Sequence, residues 1–131
     1  MEDGKIYSGE EFNKFGLKCV KILRNDLTHF GYKYTLGLNK DHNELIIGDG
    51  REKGGLYFTA AQFYWYYIPY GELIGFIKIP NDALVFVEDE DYYRFKADKF
   101  ILEKTIPLKD FRLSDWFEKD IVDEYLELIS H

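Results

Sequence analysis

The sequence predicts a single α+β domain: a mixed or mostly antiparallel sheet with two short helices and a long C-terminal amphipathic helix. Three observations carry that reading. Extended-type segments follow one another in groups instead of alternating strictly with helices. Two stretches carry the residue grammar of helix N-termini, and residues 114–130 repeat their apolar side chains at helical spacing. The 131 residues leave no room for a second substantial core, so 1–131 reads as one domain. Within it, 1–16 is an N-terminal helical segment, 17–107 a sheet region with a helix at 60–68, and 114–130 the closing helix.

Taken in order, Tyr7-Ser8-Gly9-Glu10-Glu11-Phe12 has Ser8 placed to cap Glu11, Glu11 placed to reach back, and Tyr7 and Phe12 as a hydrophobic staple. Gly16 stops this helix. Leu17 to Leu23 alternates as a strand, with Leu17, Cys19, Lys21 and Leu23 on one face. Tyr32 to Leu38 reads as a second strand. Residues 39–55 form a polar, glycine-bearing loop around the short extended piece Leu45-Ile46-Ile47. Phe58-Thr59-Ala60-Ala61-Gln62-Phe63 repeats the capping grammar, with Thr59 as cap and Phe58 and Phe63 as staple. The helix it opens runs to Ile68 ahead of Pro69. Leu73 to Ile79, apolar on both faces, is a central strand. Ala83 to Val87, Tyr92 to Ala97 and Lys99 to Lys104 extend the sheet. In the closing helix Ser114 caps, while Phe117, Ile121, Tyr125 and Leu128 form the apolar stripe.

Composition bounds the function. Of the residues 46% are hydrophobic and 18% aromatic, with 11 Phe, 11 Tyr and 2 Trp, so a core built of rings is expected. A formal charge of −7 argues against nucleic acid, which clustered Lys and Arg would grip. No run approaches the ~18 apolar residues of a membrane helix. The single cysteine, Cys19, and the acidic Met1-Glu2-Asp3-Gly4 start suit a reducing, intracellular compartment.

The candidate chemistry is thin. Gly48-Asp49-Gly50-Arg51-Glu52-Lys53-Gly54-Gly55 misses the spacing of both a P-loop and a dinucleotide fingerprint, and reads as a solvated turn. Glu88-Asp89-Glu90-Asp91 lacks the ligand alternation of a calcium loop and reads as an acidic hairpin loop. His29 and His42 stand at no metal-ligand spacing, so no metal and no cofactor are expected. A Cys19–His29 nucleophile pair is set against a core role for Cys19, which its strand pattern favours. Phe63-Tyr64-Trp65-Tyr66-Tyr67 places five rings around a helix that has only one buried face, so some are either covered by another element or turned outward. Lys96-Ala97-Asp98-Lys99 reads as a polar bulge, with Lys96 and Asp98 on one side of a strand and Asp98 accepting backbone amides.

Several blocks occur in a characteristic order: 31–41 (GYKYTLGLNKD), 54–59 (GGLYFT), Tyr70-Gly71, 79–83 (IPNDA) and 95–102 (FKADKFIL). In this order the chain resembles a domain of mimivirus-type giant DNA viruses, over about residues 28–110. That domain often precedes ankyrin repeats; here it would stand alone. The resemblance implies a viral protein of the host cytoplasm or virion, and no activity. Together these readings lead to a non-enzymatic module that binds a host or viral protein, with no nucleic acid and no membrane, oligomeric state left open. Its candidate binding residues are Tyr64, Trp65, Tyr67, Lys96, Asp98 and His29. Two alternatives stand beside it. Gly55-Leu56-Tyr57-Phe58-Thr59 is similar to the middle motif of ADP-ribosyltransferase-like folds, which implies a nicotinamide cleft near Tyr57 and a catalytic Glu such as Glu103. The other is a virion or scaffold component working by self-association.

Overall fold

A computed structural model describes residues 1–41 and 54–116. The chain opens with β1 (Ile6–Ser8) and α1 (Gly9–Asn13), followed by β2 (Cys19–Leu23), β3 (Thr28–His29), β4 (Tyr32–Lys33) and β5 (Gly37–Lys40). Then come β6 (Leu56–Ala60), a 3-10 helix (Ala61–Tyr70), β7 (Leu73–Lys78), β8 (Leu84–Asp89), β9 (Arg94–Ala97) and β10 (Lys99–Pro107). A 3-10 turn (Leu108–Asp110) and α2 (Leu113–Trp116) complete the described part.

Eight strands join in one sheet in the order β1-β8-β9-β6-β2-β7-β10-β5, while β3 and β4 form a separate hairpin. Every described pair is antiparallel, so the sheet is not mixed. The central position expected for β7 holds, between β2 and β10. The core has two parts. Phe12, Phe58, Phe95 and Phe100 meet largely edge to face, with Phe12 and Phe95 centroids 5.1 Å apart, and Tyr34 stacks on Phe100 at 5.6 Å. Such ring pairs add about 0.5–1.5 kcal/mol each beyond the area they bury. A second cluster gathers Val20, Ile22, Ile74 and Phe111, with Tyr64 packed against it. β2 therefore buries all five residues, where alternation predicts one open face.

The capping box of α1 is as read: Glu11 N–H donates to Ser8 Oγ at 3.1 Å, and Ser8 N–H donates to the Glu11 carboxylate at 3.2 Å. Tyr7 and Phe12 are buried, each edge-on to Phe15. Asp98 also takes its expected part, accepting the Leu84 amide at 2.9 Å between β9 and β10.

Three expectations need correction. The strand read over 32–38 is two: Tyr32–Lys33 belongs to the hairpin and Gly37–Lys40 pairs with β10, with Gly37 at φ +99° where the chain redirects. The second capping box is absent. Thr59 is a buried strand residue opposite Val20, and the helix that follows has Ala60 at its N-cap with no side-chain cap. Strand pairing and burial on both sides outweigh a local capping preference there. That helix is also not α-helical over 60–68; it is 3-10 over 61–70 and contains Pro69. The closing helix expected at 114–130 falls almost wholly on 117–130, which lie outside the described residues; α2 covers Leu113–Trp116.

Candidate binding cavity and aromatic face

The 3-10 helix answers the puzzle of five consecutive rings. With three residues per turn, positions i and i+3 eclipse, which sorts the side chains into rows. Ala61, Tyr64 and Tyr67 face inward: Ala61 is buried, Tyr64 packs edge-on against Phe111 at 4.9 Å, and the Tyr67 hydroxyl donates to the Tyr92 carbonyl at 3.0 Å. Phe63 and Tyr66 lean on the β8–β9 hairpin, Phe63 on Tyr93 at 4.9 Å and Tyr66 stacked on Tyr92 at 4.4 Å. Trp65 and Ile68 face out, 54% and 42% exposed, and the Trp65 indole N–H donates to Gln62 O one turn back.

These rings continue into a face. Centroid contacts run from Trp65 to Tyr66 (5.9 Å), Tyr67 (5.1 Å) and Tyr70 (6.2 Å), then to His29 (6.0 Å) and Phe30 (4.2 Å, stacked). Phe30 and Gly31 form the two-residue loop of the β3–β4 hairpin, both with positive φ (+49° and +79°), as a type I′ turn requires. A phenylalanine in that conformation is strained, and its ring is 80% exposed.

Beneath this face the sheet divides. β2 and β6 pair only at Cys19–Ala60 and Val20–Thr59; beyond that β2 follows β7, while β6 follows β9. A cavity of about 220 Å³ opens near the split, lined by Lys21, His29, Phe30, Tyr57, Tyr67 and Tyr70. Lys21 spans it in place of the missing ladder. Its Nζ donates to Tyr57 O at 2.6 Å and lies 2.9 Å from His29 Nδ1, with the Tyr34 ring 5.0 Å away. Burial pushes the Lys21 amine down to about 7. Burial, then the neighbouring Lys21, pushes His29 down to about 4. The imidazole is thus neutral at pH 7. With Nδ1 accepting from Lys21, its proton is assigned to Nε2, which is buried without a hydrogen-bond partner.

A charged trio flanks the cavity. Glu88 accepts from the Tyr57 hydroxyl at 2.8 Å and from Arg94 Nε at 2.7 Å. Lys96 Nζ, wholly buried, stands 3.8 Å from Glu88 Oε2 and over the rings of Tyr57 and Phe86. Burial and the Glu88 carboxylate both raise the Tyr57 phenol.

Of the residues singled out from sequence, His29 and Tyr67 line the cavity and Lys96 lies behind it, whereas Trp65 is on the face and Tyr64 in the second core. Asp98 is elsewhere, bonded to Leu84. Cys19 does not pair with His29; its thiol is buried, pushed up to about 12, and directed to Leu17 O at 3.8 Å. Glu103 is exposed on β10 and does not line the cavity. His42, the extended piece 45–47 and most of the glycine stretch lie outside the described residues. Lys21, Phe30 and Tyr70 were missed, although a lysine inside the apolar run Cys19–Leu23 was a signal. Among the described residues no three His, Cys, Asp or Glu gather as a metal site, and no helix is long and apolar enough to cross a membrane. No family model, curated protein or solved structure matches the chain.

Proposed function

We propose that the protein is a non-enzymatic protein-interaction module, of giant-virus lineage, that docks a cationic segment of a host or viral protein on its ring face. The observation behind this reading is the unbroken run of ring contacts from Trp65 to Phe30, with Trp65, Tyr66, Tyr70 and Phe30 all exposed. Trp and Tyr are the residues that most often anchor interfaces. The partner's sign follows from the surroundings. Asp89, Glu90 and Asp91 adjoin Tyr92 at one end of the face, Glu72 stands two residues after Tyr70 midway along it, and the chain carries −7 overall. Acidic rims around open ring faces suit Lys and Arg, by charge and by cation–π contact. The lineage, and with it a host-cytoplasm or virion location, rests on the order of the sequence blocks between residues 31 and 102.

Selection of a random displayed peptide library on the full chain tests the reading. The enriched peptides should share Lys or Arg next to an apolar residue. Their affinity should fall about thirtyfold in a Trp65→Ser, Tyr66→Ser variant, the loss expected of an interface anchor worth about 2 kcal/mol. Enrichment of acidic peptides, or undiminished binding by a folded double variant, would overturn it.

A further inference from the structure

Lys21 is a buried amine in the wall of the cavity. A –NH2 group has two N–H bonds and one lone pair; here the two available acceptors are Tyr57 O and His29 Nδ1. No carboxylate forms an ion pair with Lys21 among the described residues. Beside it, the Nε2–H of His29 is a buried donor without an acceptor. The cavity holds about 220 Å³, and since a cavity of about 150 Å³ accepts benzene, the space fits one substituted ring and excludes a dinucleotide.

We propose that Lys21 is a carbonyl-reactive amine that captures a single-ring aldehyde in this cavity as an imine. The site opens beneath the docking face and shares His29, Phe30, Tyr67 and Tyr70 with it, but the amine chemistry does not require a docked peptide. The Nζ lone pair attacks the carbonyl carbon, a C–N bond forms, and the C=O electron pair moves onto oxygen. That oxygen takes one proton from nitrogen, giving a carbinolamine. The hydroxyl then leaves as water with the second nitrogen proton, and the C=N bond forms. Amine and aldehyde enter, imine and water result, and nothing is oxidised or reduced. The lowered proton affinity of Lys21 supports the step. With half of it neutral at pH 7, its reactive fraction exceeds that of an ordinary lysine roughly a thousandfold.

The test is reductive trapping of the full chain with benzaldehyde and sodium cyanoborohydride, read by peptide-mapping mass spectrometry. The expected result is one benzyl group on Lys21, added at least about tenfold faster than on any other lysine. Its pH profile should be half-maximal near 7, because the neutral amine is the nucleophile. A Lys21→Met variant should lose that adduct and keep the slow surface labelling; should it not fold, the mapping and pH profile of the unaltered chain decide alone. Labelling spread over surface lysines with Lys21 no faster would overturn the proposal. A Lys21 rate that climbs with pH as an exposed lysine's does would overturn it too.

Discussion

Replacing Lys21 by Met should make the protein more stable at pH 7 and remove most of a pH dependence that the unaltered chain shows between pH 7 and 9. The sign follows from linkage. The folded-state amine titrates near 7 and the unfolded one near 10.4, so between these values the unfolded chain binds more protons and stability rises with pH. Over 7 to 9 the integrated change is about 2 kcal/mol, and at pH 7 the full burden of holding the amine unprotonated is about 4 kcal/mol. The groups around Lys21 leave this window clear below about pH 8. His29 is neutral above pH 7, since its folded value is about 4. Tyr34 and Tyr57 are raised by burial and lower stability only above about pH 9, whereas Cys19, pushed up to about 12 from 9.0, begins to lower it from about pH 8 and takes back a small part of the rise. Met fills a similar volume but gives up the bond to Tyr57 O, which returns about 1–3 kcal/mol of the gain. Urea unfolding at half-unit pH steps is the assay. A flat profile for the unaltered chain, or an equal slope in a folded Lys21→Met variant, would refute the argument.

Phe30→Asn should stabilise the chain by about 1 kcal/mol, because asparagine tolerates the positive φ that phenylalanine resists, while peptide binding at the ring face weakens; thermal unfolding and titration calorimetry read the two effects. Gly71→Ala should cost at least about 1–3 kcal/mol by overpacking, since an added Cβ would sit 2.1 Å from Leu23 O, and denaturant midpoints measure it. Glu88→Gln should destabilise by about 3–5 kcal/mol, because it strips the carboxylate from buried Lys96 and half-buried Arg94, whereas Lys96→Met should be near neutral because Glu88 keeps Arg94 and Tyr57. Parallel urea melts of the two variants test that asymmetry.

What could be read from sequence was local or strongly patterned. Ser8 and Glu11 close their box through bonds three residues apart, and Leu73–Lys78 is apolar enough on both faces to have only a central place. Asp98 could be placed because Asp between two extended runs has few other uses. The 3-10 helix was misread because Thr59 and Gln62 mimic a cap, while the decisive fact, Thr59 facing Val20, joins residues 39 positions apart. The cavity was illegible for the same reason: Lys21, His29, Tyr57 and Tyr70 meet only because β2 and β6 diverge, and pattern within a strand does not encode where two strands part. Only the presence of a lysine among apolar neighbours hinted at it.

The three-residue pitch of segment 61–70 carries a rule about its length. At about 2 Å of rise per residue the segment spans roughly 20 Å, and every side chain's bearing is set by its position modulo three. Removing or adding one residue upstream of Tyr64 would rotate every later ring by a third of a turn. A deletion would drive the indole now in water against Phe111, and an insertion would thrust the tyrosine now under cover outward. Changes by a whole triplet preserve the phase, so indels here should be tolerated in threes or not at all.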